Sequence, residues 1–433
     1  MNLTEPQAGS DLAALRSKAV PEGDHFRVFG QKIFITWGEH DMAENIVHLV
    51  LARLPDAPPG VKGISLFVCP KFLVNDDGSL GERNDLVCAS IEHKMGIHAS
   101  PTAVMSFGDG PGAIGYLVGE PHKGLGYMFT MMNYARLNVG LEGVAISERA
   151  YQRARAYAID RVQGRTLTEG SRGIIGHPDV RRMLMDMKAR TEAMRALAYF
   201  AAAQMDRAHS HPDEATQVKS QALVDLLIPI VKGCCTEQAQ GITADGVQIH
   251  GGMGFIEETG AAQYVRDARI TTIYEGTTGI QANDLIGRKL IRDDGVTMKA
   301  LLHTVSAEAQ RQVGSGDPVL QALGQSLQRG LEALSQATER ILTRAHQSPA
   351  ATAAGAVPYL KLCGTVLGAW LMNRAAEAAQ RQLNDNGQDD AFLSAKVITA
   401  RHYQYHVLVE ANSWRDRVIN GASSTLALQD DQF

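Results

Sequence analysis

The sequence predicts an α+β protein of several domains: an antiparallel β domain, then a four-helix bundle, then a second helical domain at the C-terminus. Two observations predict this order. Short β-branched and aromatic runs separated by turn residues fill the chain before Gly124, without helical periodicity between them. From Gly124 onward, apolar residues recur at three- and four-residue spacing over long stretches. The predicted domains are residues 1–121, 122–295 and 296–433.

The β domain is predicted from four stretches. The run DHFRVFGQKIFITWG contains short alternating segments broken by Gly30 and Gly38. The runs NIVHLVLARL and KGISLFVCPKFLV have the composition of strands, and CASIEHKMGIHASPTAVMSFGD predicts two strands around a turn. Because no helical period intervenes, we expect the strands to pair antiparallel in a sheet, barrel or sandwich.

Four long helices are predicted for the bundle. The first begins at Gly124, the second begins near Pro178, and the third contains Pro229 as a candidate kink. A fourth helix follows Glu275, and the run RITTIY in front of that residue is expected to be strand-like. Long helices with short connections predict an antiparallel bundle.

The last part of the chain is predicted to be helical as well. IRDDGVTM is expected to be a linker, residues 297–344 are expected to be helical, and AHQSPAATAAGAVP is expected to be a connector. Two more helices are predicted within residues 358–421.

Composition excludes several classes of protein. The formal net charge is −5 and the basic residues are interleaved with acids, which does not favour binding to nucleic acid or to an anionic membrane. The five cysteines are odd in number and lack CxxC spacing, so neither a disulfide framework nor a zinc site is expected, and no metal site is predicted. No apolar run is long enough to span a membrane, and we expect a cytoplasmic protein.

Several short motifs each allow a structural and a functional interpretation. LTEPQAGSDL is either an ordinary turn or a loop in which Thr4 and Ser10 face a polar ligand. FITWG is either a strand end or a wall for a planar ring. VQIHGGMGF is either a helix C-cap or a close backbone approach to a phosphate or sugar. Arg136 is either an ion-paired core residue or a catalytic one.

Taken together and in this order, five segments resemble the signature segments of the acyl-CoA dehydrogenase family. The segments are LTEPQAGSDL, FITWG, ARLNVG, QIHGGMGF and IYEGTTGIQ. The resemblance covers residues 1–295. The remainder resembles the extra helical domain of a large-subunit branch that includes the 3-methylmercaptopropionyl-CoA dehydrogenases.

The resemblance implies FAD as cofactor and an acyl-CoA thioester as substrate. It places the catalytic base on Glu275 and a supporting arginine on Arg136. The base removes an α-proton while a hydride leaves the β-carbon for the flavin, and the product is a trans-2-enoyl-CoA. Such a carboxylate is a stronger base in an apolar pocket. Gly276 lets the following backbone N–H approach the thioester oxygen.

The resemblance also implies a set of FAD-binding residues. Some belong to the flavin of the neighbouring subunit, which implies a homodimer. The set is Leu3, Thr4 and Ser10 in the first loop, Phe34 and Thr36 beside the isoalloxazine, Arg161, Gln163, Gln248, Gly251 and Gly252 facing the neighbour's FAD, and Thr277 after the base.

Rival interpretations remain open. Members of the family carry a helical domain ahead of the LTEP segment, so we expect a truncated copy or a reduced paralogue. An electron-transfer flavoprotein is the expected electron acceptor. The alternatives are a catalytically idle binding or assembly module of the same fold, a DNA-binding relative from the adaptive response, and an acyl-CoA oxidase.

Overall fold

The computed structural model describes residues 1–168, 170–386 and 390–433. The chain divides into two compact units, Met1–Tyr134 and Ala135–Phe433. The first unit is built mainly of strands and the second of helices. The predicted α+β class and the order of β before helical structure are therefore confirmed.

Nine strands make up the β unit. They are β1 Lys18–Glu22, β2 His25–Thr36, β3 Val47–Arg53, β4 Ile64–Pro70, β5 Phe72–Val74, β6 Leu80–Arg83, β7 Leu86–Ile91, β8 Thr102–Phe107 and β9 Ala113–Leu117. Seven of them form one sheet in the order β1-β3-β4-β9-β2-β8-β7, and β1 also pairs with β2. That extra pairing closes β1, β3, β4, β9 and β2 into a ring. The pairings are antiparallel except for a parallel contact between β1 and β3.

One long strand, β2, pairs with β1 and β9 in its first half and with β8 in its second half. The expectation of short runs broken at Gly30 was wrong, because the strand continues through that residue with φ 140°. A Cβ on Gly30 would lie 2.4 Å from Ser17 Oγ, so the strand needs glycine there to pass β1 closely. The register with β8 then shifts between Lys32 and Ile35, and this bulge holds Phe34 at φ 59°.

A buried ion pair ties the N-terminal loop to β2. The Glu5 and Lys32 side chains are 3% and 0% exposed, and Lys32 Nζ donates to Glu5 Oε1 over 2.8 Å. The backbone N–H groups of Arg16 and Ser17 also donate to this carboxylate, at 2.7 and 3.0 Å. Burial alone would raise the pKa of Glu5, but the ammonium and these donors lower it to about 2.

Twelve α-helices follow among the described residues. They are α1 Gly124–Asp160, α2 Pro178–Ser210, α3 Glu214–His250, α4 Ala261–Arg269, α5 Thr278–Asp284, α6 Val296–Val313, α7 Pro318–Arg344, α8 Pro349–Ala354, α9 Ala356–Asn386, α10 Ala391–His402, α11 Glu410–Asn420 and α12 Ala422–Thr425. Leu285–Ile291 and Tyr403–Val407 are π-helical. A large apolar core runs through the helical unit, from Leu137 to Val418, and a smaller cluster contains Ala379, Leu393 and Val397.

Local signals explain where several helices begin. Pro178 occupies the first turn of α2, as predicted, where its missing N–H costs nothing. Asp213 caps α3 by accepting from Thr216 N over 3.0 Å. The third helix continues unbroken past Pro229 to His250. Among the described residues, the helices include none that combines the length and apolar character of a membrane span.

Three local expectations were wrong. RITTIY is not strand-like, because Ile270–Thr272 forms a 3-10 turn in which Thr271 Oγ1 donates back to Ala268 O over 2.6 Å. The helix after Glu275 is short and passes into the π-helical segment instead of forming a fourth long α-helix. The alanine-rich connector contains α8 and the start of α9, because alanine favours helix where no packing demand opposes it.

We predict that Glu5→Gln destabilises the β unit by about 3–5 kcal/mol, because Lys32 would remain buried without its counter-charge. Hydrogen exchange of peptides from residues 1–36 should become faster. Glu22→Gln serves as the control, since Glu22 pairs with Arg27 at the surface and should change stability by less than about 1 kcal/mol. Equal exchange in both variants would contradict the anchoring role of Glu5.

Candidate active site

Glu275 lies at a sharp reversal between the 3-10 turn and α5. Its φ is 53°, and that of Gly276 is 95°. Glycine is needed at 276 because a Cβ there would lie 2.5 Å from Gln281 Nε2. The pKa of Glu275 is raised, chiefly because burial removes water from the carboxylate, while the cations of Arg136 and Lys232 oppose the shift.

The two carbonyls at this reversal are held by three buried side chains. Arg136 Nε and Gln281 Nε2 donate to Glu275 O, at 3.4 and 3.2 Å. Lys232 Nζ donates to Gly276 O over 2.6 Å. In a trans peptide the N–H points opposite to the C=O, so the N–H of Gly276 is directed away from Arg136 and Gln281. The three donors therefore fix the orientation of the peptide that follows Glu275.

Arg136 is itself fixed by a buried acid. Its Nη1 lies 3.0 Å from Asp284 Oδ2, and both side chains are 4% exposed. Arg288 Nε lies 2.6 Å from Asp284 Oδ1. Asp284 thus bridges two arginines and neutralises part of the charge near Glu275. Arg136 therefore contacts Glu275 through the backbone carbonyl of Glu275 and not through its carboxylate.

Further polar contacts surround the reversal. Tyr274 Oη donates to a carboxylate oxygen of Glu142. Thr278 Oγ1 donates to Glu237 Oε1 over 2.7 Å, and Glu237 also pairs with Lys361 at 3.0 Å. These contacts hold both sides of the turn against α1 and α3.

Thr277 has a structural role in addition to its predicted role as an FAD contact. Its Oγ1 accepts from Ile280 N over 3.2 Å and so caps α5. The residue is only partly buried.

Five other predicted FAD residues lie together, but far from Glu275. Arg161 and Gln163 follow the C-terminal end of α1, and Arg161 Nη2 donates to Gln163 Oε1 over 3.3 Å. Tyr157 of α1 stacks on His250 of α3, with ring centroids 4.4 Å apart. This stack brings the end of α1 beside a second group of predicted residues. The second group is Gln248, Gly251 and Gly252.

The length of α1 separates this distal group from the base. From Arg136 to Asp160, the last residue of α1, the helix rises by roughly 36 Å at 1.5 Å per residue. One chain therefore does not bring its own Arg161 to its own Glu275.

In the β unit, the predicted flavin residues lie on the first loop and on the end of β2. Lys32 Nζ donates to Leu3 O over 3.1 Å, and Ile33 N donates to Thr4 O over 2.9 Å. These bonds fix the backbone of the first loop, and Ser10 is exposed near its end. The other two predicted residues here are Phe34, which lies in the bulge of β2, and Thr36, which ends that strand.

The end of β2 presents an unusual aromatic surface. Phe34 is 59% exposed and Trp37 is 39% exposed, and both have left-handed backbones, with φ 59° and 56°. Thr36 is exposed as well. Two large exposed aromatic side chains with this backbone geometry are typical of a ligand-binding wall.

Sequence reasoning missed several residues that shape the site. Asp284, Gln281 and Lys232 are buried polar residues in apolar helices, and such residues need partners. That signal was present in the sequence, but the partners are distant along the chain. Glu5 was missed because it lies among the turn residues of the LTEPQAGSDL motif, where the sequence does not indicate burial.

Comparison with known proteins is consistent with this geometry. The profile described as "Acyl-CoA dehydrogenase, middle domain" matches residues 1–109, and "Acyl-CoA dehydrogenase, C-terminal domain" matches residues 122–291. "Acetyl-CoA dehydrogenase C-terminal like" matches residues 299–429.

Two curated relatives and one solved structure illustrate the similarity. A 3-methylmercaptopropionyl-CoA dehydrogenase from Ruegeria pomeroyi is 50% identical over 98% of this chain and 72% of its own length. The broad-specificity linear acyl-CoA dehydrogenase FadE5 from Mycobacterium tuberculosis is 38% identical over 100% of this chain and 74% of its own. The acyl-CoA dehydrogenase of Bacillus anthracis complexed with FAD has the same fold, with a TM-score of 0.75 at 22% identity, covering 99% and 69% of the two chains.

The fold and the relatives together define a class of oxidoreductases. The chain belongs to the acyl-CoA dehydrogenase family. Members of this family bind FAD.

We predict that Lys232→Met lowers kcat by about 10–100-fold, because the Gly276 peptide loses its strongest donor and the base is misplaced. Burial lowers the pKa of Lys232 to about 8, so the ammonium form predominates at neutral pH and is lost above it. The wild-type rate should therefore decline on the alkaline side of pH 8, and this decline should be absent in the variant.

Steady-state assays across pH, with bound flavin quantified by its absorbance, provide the measurement. Lys219→Met is the matched control, because Lys219 is exposed on the same helix. If the variant loses flavin or stability but keeps the wild-type pH profile, then Lys232 has only a packing role.

Proposed function

We propose that this protein oxidises an acyl-CoA thioester to the trans-2-enoyl-CoA, with Glu275 as the base. The observation that carries the proposal is the raised pKa of Glu275 next to a backbone donor that three buried side chains hold in place. A carboxylate shielded from water has the higher proton affinity that removal of a weakly acidic α-proton requires.

The chemistry of the predicted residues fits FAD. Phe34 and Trp37 offer exposed aromatic area to a flat ring system. The backbone at Leu3 and Thr4, which β2 holds in place, offers polar groups within the same β unit. A Cβ added at Gly251 would meet no described atom within 4 Å, so the backbone there is open to a ligand. When bound, FAD supplies the hydride acceptor for the β-carbon.

The residues of this chain perform the proton chemistry. Glu275 accepts the α-proton from the substrate, and its partly buried position excludes bulk water from that transfer. Negative charge then develops on the thioester oxygen, and the N–H of Gly276 is oriented to stabilise it. Arg136 and Lys232 hold the peptide in position. Their positive charges oppose the effect of burial, so the pKa of Glu275 rises less than burial alone would raise it.

We also propose a homodimer in which each FAD is shared between subunits. The support is the distance of roughly 36 Å along α1 between Arg136 and the end of the helix. Because of this distance, Arg161 and Gln163 cannot act beside Glu275 of their own chain. Both side chains are exposed and offer a cation and amide to a pyrophosphate.

Further proposals concern partners and organisation. We propose an electron-transfer flavoprotein as electron acceptor and a cytoplasmic location. We propose the domain division 1–121, 122–295 and 296–433, which the three separate family matches support. The name of the 50% identical relative makes 3-methylmercaptopropionyl-CoA the first substrate to assay, beside straight-chain acyl-CoA esters of graded length.

We predict that Glu275→Gln lowers the rate of flavin bleaching by acyl-CoA by about 10²–10⁴-fold while flavin remains bound, because the amide keeps the shape but cannot accept the proton. Stopped-flow absorbance without oxygen measures this step. The wild-type rate should fall on acidification at a pH above the usual glutamate pKa of about 4.3, since the raised pKa protonates the base earlier.

The control is Glu258→Gln, at an exposed acid on the same segment of chain. Bleaching that survives in Glu275→Gln would assign the base to another residue. A wild-type protein that holds flavin and is never bleached would indicate the idle module. Fast reoxidation of the reduced protein by dissolved oxygen would indicate an acyl-CoA oxidase.

A mixed-dimer experiment tests the shared site. Subunits carrying Glu275→Gln and subunits carrying Arg161→Ala are each expected to form impaired homodimers. Co-purified with two different affinity tags, the mixed dimer should regain one intact site, because the base and the arginine of that site come from different chains. Activity no higher than the mean of the two homodimers would place Arg161 and Glu275 in the same site of one chain.

A further inference from the structure

Three potential metal ligands converge where α2 meets the end of α10. Asp186 lies on α2, His402 is the last residue of α10, and His406 lies in the π-helical segment that follows. One ligand atom from each lies within 4.8 Å of the other two. This cluster is separate from Glu275 and from the predicted FAD residues, and nothing in the proposed reaction uses it.

We propose that Asp186, His402 and His406 bind a divalent transition-metal ion of the zinc class. Two imidazoles and one carboxylate form a nitrogen and oxygen donor set that suits Zn²⁺ and its neighbours, and disfavours Ca²⁺ and Mg²⁺, which take mainly oxygen ligands. The sequence did not reveal this set, because Asp186 and His402 are 216 residues apart.

The geometry is close to that of a bound ion. Asp186 Oδ1 and His402 Nε2 are 2.8 Å apart, and the rings of His402 and His406 stack with centroids 4.1 Å apart. Ligand atoms of a tetrahedral zinc ion at about 2.1 Å lie about 3.4 Å apart. Binding would therefore open the Asp186–His402 pair by about 0.6 Å and bring the His406 nitrogen closer by up to about 1.4 Å, which requires rotation of the exposed His406 side chain.

The surroundings support orientation and access. Arg182 Nη1 lies 3.1 Å from the other carboxylate oxygen of Asp186 and so fixes the carboxylate plane. The side chains of Asp186 and His402 are 17% and 11% exposed, whereas His406 is exposed. The ion would thus enter from the side of His406 and would link α2 to the segment after α10.

Nearby charge sets the expected strength of binding. His402 and His406 line a cavity of about 640 Å³ together with four cationic side chains. The four are Arg155, Arg181, Lys188 and Arg401. These cations raise the electrostatic cost of a dication, so we expect weaker binding than without them, and they favour water-derived hydroxide or another small anion at the open coordination position.

Zinc binding to the purified full chain, freed of metal with a chelator, tests the proposal. Calorimetric titration with Zn²⁺ should show one ion per chain, and elemental analysis after gel filtration should show the same ratio. The melting temperature should rise with the Zn²⁺ concentration, because the ion binds only the folded arrangement. His406→Ala and Asp186→Asn should each weaken binding by at least about tenfold.

His303→Ala is the matched control, because His303 is exposed on α6 and should leave the titration unchanged. Since His406 is exposed, its replacement leaves the core intact, and circular dichroism verifies the fold of each variant. Equal zinc binding in His406→Ala and the wild type would assign the ion to another place and overturn the proposal. So would a wild-type titration without a stoichiometric site.

Discussion

The helical unit depends on control of two consecutive backbone carbonyls at residues 275 and 276. Both residues adopt positive φ, which for a glutamate costs of order 1–3 kcal/mol unless the surroundings enforce it. Arg136, Gln281 and Lys232 enforce it by donating to those carbonyls. Because these donors bind the backbone, burial is the largest influence on the Glu275 carboxylate, and it raises the pKa although the charges of Arg136 and Lys232 oppose the shift.

Both units use buried charge to hold a loop that carries functional residues. In the β unit, Lys32 holds Glu5 from 27 residues away, and the loop around Glu5 carries Thr4 and Ser10. In the helical unit, Asp284 holds Arg136 from 148 residues away. A buried pair of this kind is weak evidence for net stability, but the loss of one partner is costly. The pairs therefore specify one loop conformation more than they strengthen the fold.

The order of β and helical structure could be predicted, because apolar residues recur about every 2 residues in a strand and about every 3.6 residues in a helix, and long runs distinguish the two. The short run before Glu275 was misread as a strand, because threonine and isoleucine favour strands locally while the Thr271 hydroxyl satisfies a helix carbonyl here. Glu275 and Arg136 were predicted from motifs. Lys232 was not predicted, because the sequence does not indicate which group a lysine in an apolar helix binds, and its partner Gly276 is distant along the chain.

The π-helical segment Leu285–Ile291 makes the helical unit sensitive to chain length at one point. A π-turn accommodates one residue more than an α-turn, so a single deletion in this segment would restore ordinary α-helical pitch. Within the segment, the angle between successive side chains would change, because an α-turn holds 3.6 residues and a π-turn holds more. Leu290, which lies in the segment and is fully buried, would change its direction. Substitutions would not expose this constraint, whereas insertions and deletions would.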